Sequence, residues 1–161
     1  MKLTSKSDLE APLSFVYATL ADHAAWERAA IRQGVQVERP DDAPRTGIGA
    51  AWRIRGKVRG KPRQMLLRLT ETTPDKAMGY SLDSPSVEGT ARFEVLALSP
   101  RRTRLRVVLE VRPKTLAARL FLNTLRLTRR RVEAKFDART AQLAQRIAAG
   151  YQDGLIRAGR M

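Results

Sequence analysis

The chain has 161 residues, of which 43% are hydrophobic, and it contains no cysteine. This length and apolar content are enough for one globular unit with its own core, while the lack of cysteine excludes disulfides, thiolate zinc sites and thiol nucleophiles. The net charge of +15 favours an anionic partner or a solvated basic surface, and no apolar run is long enough for a membrane span or a secretory signal, so we expect a cytoplasmic protein.

The first part of the chain predicts one strand and two short helices. The strand covers about residues 2 to 10. Pro12 suits the first turn of a helix because its missing N–H costs nothing there. Asp22 is a candidate N-cap for a second helix, which contains Trp26 and ends near Gly34. The proline- and glycine-rich segment that follows predicts a loop.

From Ala50 onward, apolar and basic residues alternate with a period of two, which predicts strands with one buried face. Short breaks with turn residues separate these strands and indicate an antiparallel meander. The positions predicted to point inward are Trp52, Ile54, Val58, Met65, Leu67, Leu69, Met78, Tyr80, Leu82, Phe93, Val95, Ala97, Leu105, Val107, Leu109 and Val111.

The last part of the chain predicts one long helix, capped by Thr115 and closed at Gly150. Its apolar residues recur at spacings of three, four or seven, which is typical of a single buried stripe. The stripe consists of Ala118, Phe121, Leu125, Val132, Phe136, Leu143 and Ile147. Residues 150 to 161 show little periodicity and predict a loose tail.

The inward-facing positions carry almost no titratable group, so we expect no catalytic residue. Tyr80 contributes the one phenol among them. His23 is the only histidine, which excludes a histidine-rich metal site, and at the start of a helix it is more typical of a structural or solvated residue. No dinucleotide fingerprint or phosphate loop occurs, and we expect neither a metal nor a cofactor.

Most of the excess charge lies late in the chain. Residues 101 to 131 contain ten arginines and Lys114 against Glu110 alone, which gives 11 − 1 = +10. On the strands the arginines take the outward positions. On the long helix, Arg119, Arg126 and Arg130 flank a second apolar strip, which lies opposite the first and contains Leu116, Leu120 and Leu127.

Three interpretations of this second strip stay open. The short helices or a loop cover it, as is usual for a helix that is apolar on two sides; it contacts an anionic membrane surface; or it forms a homodimer contact. Nucleic acid is a poor fit for the basic surface, because the outward positions have almost no aromatic residues to stack on bases.

Several short motifs resemble one superfamily when they are taken in order. These are Leu9-Glu10-Ala11-Pro12 with Val16, Leu20, Asp22 and Trp26, then Gly47-Ile48-Gly49 before Trp52, and Arg102-Thr103-Arg104-Leu105. The chain resembles the START and birch-pollen-allergen-like (SRPBCC, polyketide cyclase/dehydrase and lipid transport) superfamily over residues 1 to 149. The resemblance implies an α+β helix-grip domain, in which a curved antiparallel sheet of six or seven strands wraps around a long C-terminal helix.

The resemblance also implies a cavity for a hydrophobic small molecule or lipid between the sheet and the C-terminal helix. Carried over to this sequence, the ligand-contacting residues would be Trp26, Trp52, Met65, Leu67, Tyr80, Phe93, Val107, Phe121 and Leu125. We therefore predict non-catalytic ligand binding, unless these side chains fill a solid core. A polyketide cyclase or dehydratase-like enzyme and a polyanion-binding protein are the alternatives, with Arg119, Arg126 and Arg130 as the anionic-surface contact.

Overall fold

The computed structural model describes residues 1–159, which form four helices and one seven-stranded sheet. The elements are β1 (Lys2–Leu9), α1 (Leu13–Ala21), α2 (His23–Arg32), β2 (Gln36–Glu38), β3 (Ala51–Val58), β4 (Lys61–Thr73), β5 (Ala77–Asp83), β6 (Val87–Ser99), β7 (Arg102–Pro113), α3 (Leu116–Leu127) and α4 (Arg129–Gly159). The strands are ordered β1-β7-β6-β5-β4-β3-β2, and all neighbours are antiparallel. The predicted α+β helix-grip architecture is confirmed.

The two short helices begin next to Pro12 and Asp22, as these residues predict. Pro12 stands at the N-cap of α1, and the Asp22 carboxylate accepts a hydrogen bond from Ala25 N at 3.2 Å at the start of α2. The Trp26 indole N–H donates to the carbonyl of Thr19 at 3.0 Å. This bond satisfies the polar atom of a large apolar side chain and ties α2 to α1.

The sheet has an apolar face and a charged face, as the alternation predicts. Leu105 of β7 is fully buried, whereas its neighbours along the strand point outward and pair with acids. Arg104 Nε lies 2.8 Å from an oxygen of Asp8, and Arg106 Nη1 lies 3.1 Å from Glu94. Much of the positive charge on the convex side of the sheet is thus matched by neighbouring carboxylates.

The buried residues form two clusters on the concave face. The first lies where α1 and α4 pack on the sheet and contains Leu9, Ala11, Val16, Leu20, Val95, Leu105, Val107, Ala144 and Ile147. The second covers β3, β4 and β5 and contains Ala50, Trp52, Leu69, Met78 and Tyr80. Tyr17 and Phe93 are half-buried and contact both clusters.

The C-terminal helix differs from the prediction because it is broken in two. Thr115 caps α3 as predicted, by accepting from Ala118 N at 3.1 Å. At Thr128, however, the backbone leaves the helical region with φ −113° and ψ 32°. Thr128 is β-branched and donates its hydroxyl to the carbonyl of Leu125 at 3.3 Å. Such a local side-chain bond competes with regular helical bonding, so α3 and α4 are two separate helices.

The predicted loose tail is wrong for residues 150–159, which continue α4. Gly150 does not end the helix, because a glycine inside a helix costs only about 1 kcal/mol and tertiary contacts offset that cost. Tyr151 packs edge-on against Phe15 of α1 with ring centroids 5.0 Å apart. Residues 160 and 161 of the predicted tail lie outside the described residues.

Candidate functional site

A pocket of about 410 Å³ lies between α2, α4 and the concave face of the sheet. Its walls are Leu20, His23, Trp26, Glu27, Ala30, Val37, Trp52, Ile54, Leu67, Met78, Tyr80, Ala91, Phe93 and Leu143. Only His23, Glu27 and Tyr80 among these residues carry an ionisable group. This size and this composition are typical of sites that take small, largely apolar ligands.

A hydrogen bond between His23 and Tyr80 supplies the polar feature of the pocket wall. His23 Nε2 lies 2.6 Å from Tyr80 Oη, and Tyr80 Oη lies 3.0 Å from Met78 Sδ. The imidazole also packs against Trp52 at 4.9 Å between ring centroids, and the phenol meets Phe93 edge-on at 5.9 Å. Aromatic packing therefore holds both polar groups in place.

Burial disfavours the charged form of both members of this pair. It lowers the pKa of the His23 imidazole, and the nearby cation of Arg39 lowers it further against the opposing effect of Asp22. Burial likewise raises the pKa of the Tyr80 phenol, with a smaller contribution from Tyr17. A neutral imidazole beside a protonated phenol can bind a ligand oxygen, or exchange a proton with it, in an apolar environment.

Arg39 fixes the outer wall of the pocket. Its guanidinium carbon lies 4.5 Å from the centre of the Trp52 ring, Nη1 lies 3.6 Å from the Glu27 carboxylate, and Nε donates to Ala51 O at 2.8 Å. Its charge is matched by Glu27 and stacked on an aromatic face. No sequence pattern indicates this role, because Arg39 lies outside the alternating strands.

Five of the nine predicted ligand-contacting residues lie together in the pocket walls. They are Trp26, Trp52, Leu67, Tyr80 and Phe93. Met65 is half-buried farther along β4, and Val107 is buried in the cluster beneath α4. The remaining two residues lie on α3, outside the pocket.

The predicted inward stripe of the early helix is confirmed at Ala118 but is wrong at Phe121. Phe121 is 47% exposed, while Ala118 and Leu122 are buried; Leu125 is half-buried. The prediction of a single stripe assumed one straight helix from Thr115 to Gly150. Because the chain breaks at Thr128, the apolar stripe of α4 does not determine how α3 is rotated.

Some residues of the pocket wall were not among the predicted ligand-contacting residues. Glu27 and Ala30 line the pocket together with His23, and their spacing of four and seven residues from His23 places all three on one face of α2. This spacing is a signal that identifies them once His23 is taken as a site residue. Val37 lies on β2, which has only three residues and is too short to show a periodic pattern. Ala91 has a small side chain, which does not by itself indicate a position in a pocket wall.

The second apolar strip on α3 is exposed, so the expectation that other elements cover it is wrong. Leu116, Leu120 and Leu127 are 71%, 59% and 87% exposed. Arg119, Arg126 and Arg130 are exposed as well, and none of the three pairs with a carboxylate in the part of the chain that the structure describes. Between residues 1 and 159 no helix has the length and apolar character required to cross a membrane.

Comparison with known proteins identifies the fold. No family model and no curated protein sequence matches the chain. The Zhui aromatase/cyclase from Streptomyces is 18% identical with a TM-score of 0.67, over 91% of this chain and 93% of that one. A Thermus thermophilus protein is 16% identical with a TM-score of 0.67, over 93% and 99%.

A START superfamily protein from Mycobacterium smegmatis has a TM-score of 0.53 at 16% identity, over 83% of this chain and 95% of that one. These similarities extend along nearly the whole length of each chain. The protein therefore has a START/SRPBCC-type helix-grip fold, as the sequence motifs predicted.

Proposed function

We propose that the protein binds a hydrophobic small molecule or lipid in the pocket between α2 and the sheet, and holds it without chemical change. The observation that carries the proposal is the apolar pocket of about 410 Å³ with one neutral hydrogen-bonding pair in its wall. Pockets of this kind gain affinity from apolar contact and orientation from a few polar groups.

The chemistry of the walls defines the class of ligand. Trp26, Trp52 and Phe93 offer aromatic faces and edges, which favour a flat or ring-containing apolar body. The His23–Tyr80 pair offers one place for a ligand hydroxyl or carbonyl. Because Glu27 is paired with Arg39, it presents no free charge, and an uncharged ligand with one oxygen function fits these groups best.

The direct experiment is native mass spectrometry of the protein purified from its own host. We expect a bound apolar species that organic solvent releases. Protein that is free of ligand, and that binds none of the extracted apolar compounds of the host, would contradict the proposal.

A second experiment uses the two tryptophans, which are the only ones in the sequence and both line the pocket. Naphthol should shift both indole N–H signals in ¹H–¹⁵N NMR spectra and bind more tightly than naphthalene, which lacks a hydroxyl. Tyr80→Phe should remove most of this difference, on the order of tenfold for one neutral hydrogen bond. Equal affinities of the unmodified protein for both probes would argue against the polar role of the pair.

Catalysis of the cyclase or dehydratase kind is a second candidate, favoured by the same His23–Tyr80 contact and by the fold shared with an aromatase/cyclase. A neutral imidazole can remove a proton next to a carbonyl whose oxygen accepts a hydrogen bond from the phenol. The test is deuterium exchange into the methyl group of an aryl methyl ketone. Exchange that His23→Ala and Tyr80→Phe both abolish would support catalysis, and exchange at the rate of buffer alone would exclude it for this probe.

A further inference from the structure

The exposed strip on α3 continues onto the hairpin between β3 and β4. Residues Lys61–Gln64 of β4 pair only with β3, because the pairing of β4 with β5 begins at Leu66. The free end of this hairpin reaches α3, where the Arg59 guanidinium lies 5.4 Å from the centre of the Phe121 ring. Val58, next to that contact, is 57% exposed.

Together these residues form one surface with an apolar centre and a basic rim, which we name the docking surface. The apolar centre consists of Val58, Leu116, Leu120, Phe121 and Leu127. The basic rim consists of Arg59, Lys61, Arg63, Arg119, Arg126, Arg130 and Arg131.

The docking surface contains no negative charge. No acidic residue occurs between Asp42 and Glu71, or between Glu110 and Glu133. None of the seven rim residues forms an ion pair with any residue from 1 to 159. This contrasts with the convex side of the sheet, where arginines are paired with carboxylates.

We propose that this surface docks the protein on an anionic lipid bilayer, with α3 lying in the plane of the headgroups. A short helix with exposed leucines on one side and flanking arginines is the form that binds such an interface, through apolar burial and attraction to lipid phosphates.

Ile54 lines the pocket on the same strand and face as Val58. At about 3.3 Å per residue, the bilayer would stand about 13 Å from that wall.

Two other occupants fit the surface less well. A symmetric second copy would bring two basic rims against each other with no acid between them, which is unfavourable. Nucleic acid would satisfy the arginines, but it would leave four exposed aliphatic side chains without a partner, and Phe121 alone offers a stacking face. Anionic lipid satisfies both parts of the surface.

The test measures partitioning of the full chain onto vesicles of phosphatidylcholine, with and without phosphatidylglycerol, at low and high salt. We expect strong binding only to the anionic vesicles, weakened by salt. Replacing Arg119, Arg126 and Arg130 together by glutamine should weaken partitioning on the order of a hundredfold. The matched control replaces Arg28, Arg146 and Arg157, which are also exposed and unpaired in the described chain.

A second set of variants tests whether the exposed leucines of α3 contribute to vesicle binding. Leu120→Ser with Leu127→Ser should weaken partitioning on the order of tenfold or more, while Leu155→Ser with Ile156→Ser at the far end of α4 should have little effect. Leu155 and Ile156 are 49% and 53% exposed, so neither pair disturbs the core. An unchanged circular-dichroism spectrum and an unchanged midpoint of thermal unfolding would show that the variants fold.

Three results would overturn the proposal. The first is the absence of binding to anionic vesicles. The second is binding that the arginine variant weakens but the leucine variant does not, because that would indicate a general attraction to polyanions. The third is a dimer that the leucine variant dissociates, in protein that does not bind vesicles. The ligand-binding proposal is independent of all three results.

Discussion

The Nε2 atom of His23 and the phenolic oxygen of Tyr80 lie 2.6 Å apart, although 57 residues separate them in the chain. The contact joins the first residue of α2 to the middle of β5. It closes one wall of the pocket and places a polar pair within a lining whose other residues, apart from Glu27, are apolar. Because His23 is the only histidine, its titration can be followed without overlap.

We expect the stability of the protein to decrease as the pH falls through the range in which histidine titrates. The pKa of folded His23 lies below its ordinary value of 6.5, so the unfolded chain takes up this proton first. The free energy of unfolding is therefore highest above about pH 7 and falls as the pH drops toward the lowered pKa. Urea unfolding at several pH values measures this slope.

The control for this prediction is His23→Gln, which keeps a hydrogen-bonding group but does not titrate. Its stability should change less between about pH 7 and pH 5. The carboxyl groups of Asp8 and Glu71, whose pKa values are lowered by Arg104 and Arg92, lose their contribution only at lower pH. An NMR titration of His23 that gave an ordinary pKa would contradict the prediction.

Filling part of the pocket should weaken ligand binding without unfolding the protein. Ala91 lines the pocket, and Ala91→Leu would place three additional carbons in its open space. We expect naphthol affinity to fall at least about tenfold, because the ligand and the new side chain compete for the same volume. Calorimetry measures the affinity. Ala24→Leu, on the exposed side of α2, is the matched control, and equal affinities of the two variants would place the ligand elsewhere.

Two glycines of the sheet should respond to alanine in opposite ways. A Cβ at Gly89 would lie 2.0 Å from the carbonyl oxygen of Glu110 on the neighbouring strand, whereas one at Gly56 would meet nothing within 4 Å. Gly89→Ala should therefore cost about 3 kcal/mol or more, since backbone atoms would have to move. Gly56→Ala should be neutral or stabilise by up to about 1 kcal/mol. Thermal unfolding of both variants checks the contrast.

The contact between Arg59 and Phe121 should couple the hairpin to α3. A double-mutant cycle with Arg59→Gln and Phe121→Leu should give an interaction energy of about 0.5–1 kcal/mol, which is typical of an exposed cation over an aromatic ring. Urea unfolding of the four proteins measures it. Strictly additive effects would mean that the hairpin and α3 do not support each other in solution.

Local patterns predicted much of the architecture. The period of two from Ala50 onward identified the strands and their buried faces, because a pleated strand alternates its side chains whatever it packs against. Asp22 and Thr115 marked the starts of α2 and α3 through side-chain bonds to nearby backbone groups. Four of the five predicted ligand-contacting residues that line the pocket, Trp52, Leu67, Tyr80 and Phe93, lie on these strands, and their inward orientation follows from the same alternation.

Features that depend on contacts between residues far apart in the chain were determined only by the tertiary structure. It paired His23 with Tyr80, stacked Arg39 on Trp52, and turned Phe121 outward once the chain broke at Thr128. Periodicity fixes which residues share a face within one element, but the direction of that face is set by packing between elements. The exposed strip on α3 illustrates both contributions. The periodicity of the sequence places its leucines on one face, and only the fold shows that no other element of residues 1–159 covers them.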